Sequence, residues 1–130
     1  MQSINFKKEL NGQFENIILA LTKELQTEGF GILNRTDLHE KFQEKLGKKV
    51  APVTILGACN PTLAYDVYQA NSDVASLLPC NAVIRDIGKG KISVELAKPT
   101  ALMELLGDPQ LVEAAKDADH RLARVLERMH

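Results

Sequence analysis

A chain of 130 residues, 45% hydrophobic and 25% charged, has the length and composition of one globular domain with a single core. Sixteen basic against seventeen acidic residues leave a formal charge of −1, which offers no basic field for nucleic acid or an anionic membrane. The N-terminus has no secretory pattern. The longest nearly apolar stretch, Ala51 to Cys59, is far short of the ~20 residues of a spanning helix. These features lead us to expect a soluble, cytoplasmic protein, with no nucleic-acid or membrane partner. Two cysteines are too few for a disulfide framework, and in a reducing compartment they are free thiols.

Ile4 and Phe6 alternate with polar residues and predict a short first strand, broken at Asn11-Gly12. Phe14, Ile17, Ile18, Leu21 and Leu25 then fall on one face of a helix ending near Gly29, a residue free to take the left-handed position. Phe30 to Leu33 reads as a second strand. Asp37 is placed to cap the next helix, with Glu40 completing a capping box. Leu38, Phe42 and Leu46 repeat along that helix, and Gly47 stops it.

Val50 to Cys59 predicts a third strand, with Val53, Ile55, Gly57 and Cys59 on one face. Asn60 and Pro61 have the pattern of N-cap and first helical residue. Leu63, Ala64, Val67, Tyr68 and Asn71 would line one side of the third helix. Ala82–Ile84 and Ile92–Leu96 read as two strands joined through Ile87-Gly88-Lys89-Gly90. Pro99 opens a helix that Gly107 ends, and Asp108-Pro109 opens the last one. The buried stripe of that last helix runs from Leu111 through Ala114, Ala115, Ala118, Leu122, Val125 and Leu126 to Met129. A hairpin followed by helices does not fit a purely parallel sheet. The expected fold is therefore α+β: one domain over 1–130, with a mixed or antiparallel curved sheet of about five strands backed by helices.

Both cysteines precede an asparagine, in Ala58-Cys59-Asn60-Pro61 and Pro79-Cys80-Asn81. Cys59 beside a helix N-terminus is placed for thiolate stabilisation, but its alternation with Val53 and Ile55 and the usual burial of free cysteine favour a small packed hydrophobe. Cys80 is a candidate partner, as a second thiol or as a second ligand of a soft metal. Twenty residues separate the two, and no nearby histidine completes a zinc set, so no structural metal site is predicted. Asn60 is explained by helix initiation. Asn81 precedes a strand and lacks that explanation. No nucleophile–base–acid set is recognisable, and the glycines form no nucleotide fingerprint.

Gly29-Phe30-Gly31-Ile32-Leu33, Lys45-Leu46-Gly47, Ile55-Leu56-Gly57-Ala58-Cys59-Asn60-Pro61 and Leu77-Leu78-Pro79-Cys80-Asn81 together resemble domain-of-unknown-function family 302, from about Asn11 to the last helix. The resemblance implies a small bacterial-type α+β domain with a curved sheet backed by long helices, similar to the TATA-binding-protein-like class, and pairing as a homodimer. It carries no DNA-binding function. Asp37, Cys59, Asn60, Pro61, Pro79, Cys80 and Asn81 match the family pattern, whereas His39, His120 and His130 do not. The leading expectation is a dimeric binding module with a small-ligand or soft-metal pocket at Cys59, Asn60, Cys80 and Asn81, with Asp37 as a further candidate. The alternatives are a thiol-dependent enzyme or sulfur carrier using Cys59, assisted by Cys80, and a purely structural or interaction dimer. No particular cofactor is implied.

Overall fold

A computed structural model describes residues 3–130. The elements are β1 (Asn5–Asn11), α1 (Phe14–Thr27), β2 (Gly31–Asp37), α2 (Leu38–Leu46), β3 (Val53–Cys59) and α3 (Pro61–Ala70), then a 3₁₀ turn (Ser72–Leu77). They continue with β4 (Cys80–Gly88), β5 (Lys91–Ala97), α4 (Pro99–Glu104) and α5 (Pro109–Arg128). The five strands form one sheet in the order β1-β5-β4-β3-β2, and every neighbouring pair is antiparallel. The fold is α+β.

Alternation along the strands separates the two faces of the sheet. One face carries Leu56 and Ala58 of β3, Ala82 and Ile84 of β4, and Ile92, Val94 and Leu96 of β5, all buried. They pack against Ile17, Ile18, Leu21 and Leu25 of α1 and Leu122, Val125 and Leu126 of α5. Each such leucine, isoleucine or valine contributes roughly 1.5–3 kcal/mol by leaving water. The other face carries Val53, Ile55 and Gly57 of β3, Val83 and Arg85 of β4, and Ser93 and Glu95 of β5, with Arg85 ion-paired to Glu95. Val53 and Ile55 therefore lie on the face turned away from the helices.

A second apolar cluster lies off the main core. Val67 of α3, Val74 of the 3₁₀ turn, Met103 of α4, and Leu111 and Ala115 of α5 form it. The N-terminal half of α5 therefore serves this cluster and its C-terminal half serves the main core.

Three helix starts follow their sequence signals. Asn60 Oδ1 accepts from the Leu63 N–H, Asp108 Oδ1 accepts from the Gln110 N–H, and prolines stand in the first turns of α3, α4 and α5. Gly47 ends α2 in the left-handed region at φ 65°. The expected capping box at Asp37 does not form. Asp37 Oδ1 instead accepts from Thr54 Oγ1 at 2.7 Å and Arg35 Nε at 3.1 Å, so neighbouring strand residues use the oxygen that a cap would need. α2 buries none of its residues, and Leu46 is 64% exposed. Tyr68 is exposed rather than packed, and Asn71 lies past α3, where it caps the 3₁₀ turn through the Asp73 N–H.

Candidate functional site

The register of β3 with β4 brings the two cysteines together. Ala58 pairs with Cys80, so Cys59 is one residue from the rung that Cys80 occupies. Cys80 shares the helix-facing side of the sheet with Ala58. Cys59 is the last residue of β3, where the chain turns into α3. Both cysteines line one cavity of about 40 Å³ between the main core and the second cluster, and Cys59 is near enough to raise the Cys80 thiol. Phe30 and Leu63 stand on one side, Leu78 and Met103 on the other, and the small side chains of Ala114 and Ala118 on α5 leave the space open.

The cavity is apolar, and its electrostatics follow from that. Burial pushes the Cys59 thiol above its ordinary range. The Cys80 thiol is pushed up to about 11, first by burial and then by the nearby charges of Cys59 and Asp119. Burial raises both thiols above their ordinary range, which leaves both protonated at neutral pH. Both cysteines are free thiols.

Asn60 also lines the cavity, but both ends of its amide are occupied. Oδ1 caps α3, and Nδ2 donates to the Glu28 carbonyl at 3.2 Å. Arg121 Nη1 donates to the same carbonyl at 3.0 Å, which ties α5 to the end of α1. Gly29 permits this approach: its φ is 85°, and a Cβ there would stand 2.8 Å from Asn60 Nδ2. The Glu28 carboxylate beneath pairs with Arg124 at 2.8 Å and Arg128 at 3.0 Å. Hydrogen bonding by Arg124, then Arg128, overcomes its burial and holds its pKa down to about 2.

Asn81 lies outside this cavity. It pairs with Gly57 on the opposite sheet face and is exposed. There it borders a separate open depression of about 390 Å³ with Ile4, Asn5, Pro79 and Val83. A Cβ at Gly57 would meet Asn34 Oδ1 at 2.4 Å and Pro79 Cγ at 2.8 Å, so this position accommodates the neighbouring side chains only as glycine. Asp37 pairs with Thr54, five residues before Cys59 on β3, which puts it roughly 17 Å along the strand from the thiols. Its carboxyl is held below the ordinary range by the Thr54 hydroxyl and by Arg35.

Two contributors to the site, Met103 and Asp119, had no local sequence signal, and the α5 alanines were legible only as part of a buried stripe. Met103 is buried in α4, Asp119 comes from α5, and the alanines of α5 form part of the wall. Asp119 is not free to act on the thiols, because its two oxygens accept from the Thr100 N–H at 3.0 Å and Thr100 Oγ1 at 2.6 Å. His39 is engaged with the Val53 backbone through Nδ1. Among the described residues, no group of three or more His, Cys, Asp or Glu side chains could hold a metal ion. Among the same residues, no helix is long and apolar enough to cross a membrane.

A five-stranded antiparallel sheet with helices on one face and a thiol-lined cavity at its end defines a small α+β domain of a recurring design. Residues 6–129 match the family described as "Domain of unknown function DUF302", and the chain belongs to that family. The crystal structure of an uncharacterized conserved DUF302 protein from Bacillus stearothermophilus is similar at 33% identity and a TM-score of 0.92, covering 99% of this chain and 100% of that one. No curated protein matches the chain.

Proposed function

We propose that this domain is a small binding module whose ligand seat is the cavity between Cys59 and Cys80, and that it takes a small, soft, thiol-seeking species. One observation carries the reading: two cysteines from separate strands line the same apolar cavity. The size of the cavity supports it. About 40 Å³ suits an ion or a very small molecule, well below the ~150 Å³ of an apolar cavity that takes up benzene. The rival reading, a thiol enzyme or sulfur carrier using Cys59, needs a thiol with a lowered pKa. Burial acts in the opposite direction at both cysteines. Asn60 supports the seat from behind, while Asn81 and Asp37 have no part in it. The cytoplasm, where thiols stay reduced, is the compartment that suits such a site.

Monomethylarsonous acid, a trivalent arsenical that bridges two nearby thiols, tests this reading. Mass spectrometry of the folded protein should show one bridged adduct per chain. Cys59→Ser and Cys80→Ser should each abolish bridging. Failure of the native protein to form the bridged adduct contradicts the reading.

Pairing with a second copy finds its support on the other face of the sheet. Val53, Ile55 and Val83 are only partly covered there, flanked by the Arg85–Glu95 pair. Light scattering should give twice the 14.4 kDa chain mass, and Ile55→Lys should return it to one chain. A native mass of one chain at all concentrations rules the pairing out.

A further inference from the structure

We infer that the cavity is a monovalent-copper site in which Met103 supplies a third sulfur donor beside Cys59 and Cys80. The inference rests on the reading of this cavity as the ligand seat and goes further by naming the ion and the donor set. The three sulfur-bearing residues come from three elements, the end of β3, the start of β4 and the last turn of α4, and all line the same space. Met103 is 3% exposed, so its thioether is directed into the interior.

The remaining polar groups nearby are already engaged. Asn60 uses both ends of its amide, and Asp119 uses both oxygens on Thr100. The wall therefore offers sulfur and no free nitrogen or oxygen side-chain donor of theirs. Thiolate and thioether ligands select monovalent copper, whereas zinc takes four ligands drawn from Cys, His and carboxylates. That larger set is absent among the described residues. A cavity of about 40 Å³ has room for one ion rather than a cluster.

Binding is an exchange without oxidation. Two S–H bonds break, two Cu–S bonds form, and two protons pass to solvent. The Met103 sulfur donates a lone pair and releases no proton. The bound centre carries one net negative charge, and the N–H groups at the start of the ten-residue α3 beside Cys59 offset part of it. Both thiols are protonated at neutral pH, so copper must displace two protons. Affinity should therefore rise about a hundredfold per pH unit below the thiol pKa values.

The test is an anaerobic titration of the whole chain with Cu(I) against bicinchoninate, with X-ray absorption at the copper edge. The expected result is one copper per chain with three sulfur neighbours, and with the pH dependence above. Met103→Leu conserves core volume. It should drop the sulfur number to two and weaken copper by at least about tenfold. If that variant misfolds, selenomethionine-labelled native protein provides the same test, because among the described residues Met129 packs in the main core and Met103 is the one methionine lining the cavity. Copper–selenium scattering is then expected. Absence of copper binding, or a two-sulfur site with no selenium neighbour, overturns the inference. If the arsenical still bridges, the ligand-seat reading stands without it, and if both probes fail, the two fall together.

Discussion

The two Cys-Asn pairs have the same sequence and opposite geometry. At Cys59-Asn60 a strand ends and a helix begins, so the chain turns and both side chains line one cavity. At Cys80-Asn81 a strand begins, and the two-residue alternation sends the thiol to the helix-facing side and the amide to the open face. The first asparagine is buried and bonded at both ends of its amide, and the second is exposed. What a dipeptide does depends on whether the backbone turns at it. A motif read by its letters groups four residues, of which the fold keeps three.

Substitutions at the two pairs should separate them by size of effect. Asn60→Ala removes the α3 cap and leaves the Glu28 carbonyl without its amide donor. It should cost about 2 kcal/mol in urea unfolding, from a cap of ~1 and a buried hydrogen bond of similar size. Cys80→Ser puts a hydroxyl among apolar neighbours and should cost about 1–2 kcal/mol. Cys59→Ser, at the thiol less affected by burial, should cost under about 1 kcal/mol. The thiols should differ in the same direction in reactivity. Alkylation of both should be slow at pH 7 and rise with pH, with Cys80 lagging until the pH approaches 11.

The Glu28 network supports only the first pair, and acid should expose that. Its folded pKa of about 2 lies below the ordinary 4.5, so its contribution is complete above pH 4.5 and is lost as pH falls from there toward 2. Urea midpoints between pH 5 and 2.5 should fall in the native chain and fall less in Glu28→Gln. The smallest effect belongs to Asn81→Ala, which should stay within about 0.5 kcal/mol of the native stability. A loss at Asn81 as large as that at Asn60 would break the comparison.

Much of the fold could be read from the residues. The apolar spacing of α1 and α5, the Asn60-Pro61 and Asp108-Pro109 starts and the glycine-bearing hairpin are local signals, and local geometry obeys them. Asp37 had the correct position for a cap, yet Thr54 and Arg35 claim its oxygen, and both meet it through sheet pairing or a neighbouring rung. The site was legible only in part. Cys59 and Cys80 stand out because they are the sole cysteines, but their meeting depends on the β3–β4 register. Met103 had no signal, since a methionine in an apolar helix is ordinary core until α4 is seen against the end of the sheet.

The central claim is that Cys59, Asn60 and Cys80 face one cavity while Asn81 faces away from it. Side-chain amide NMR of the folded chain during the arsenical titration tests it most directly. The account predicts that the Asn60 amide and the methyls of Ala58 and Ala118 shift as the bridge forms, while the Asn81 amide stays in place. Movement of Asn81 with an unmoved Asn60 would contradict it.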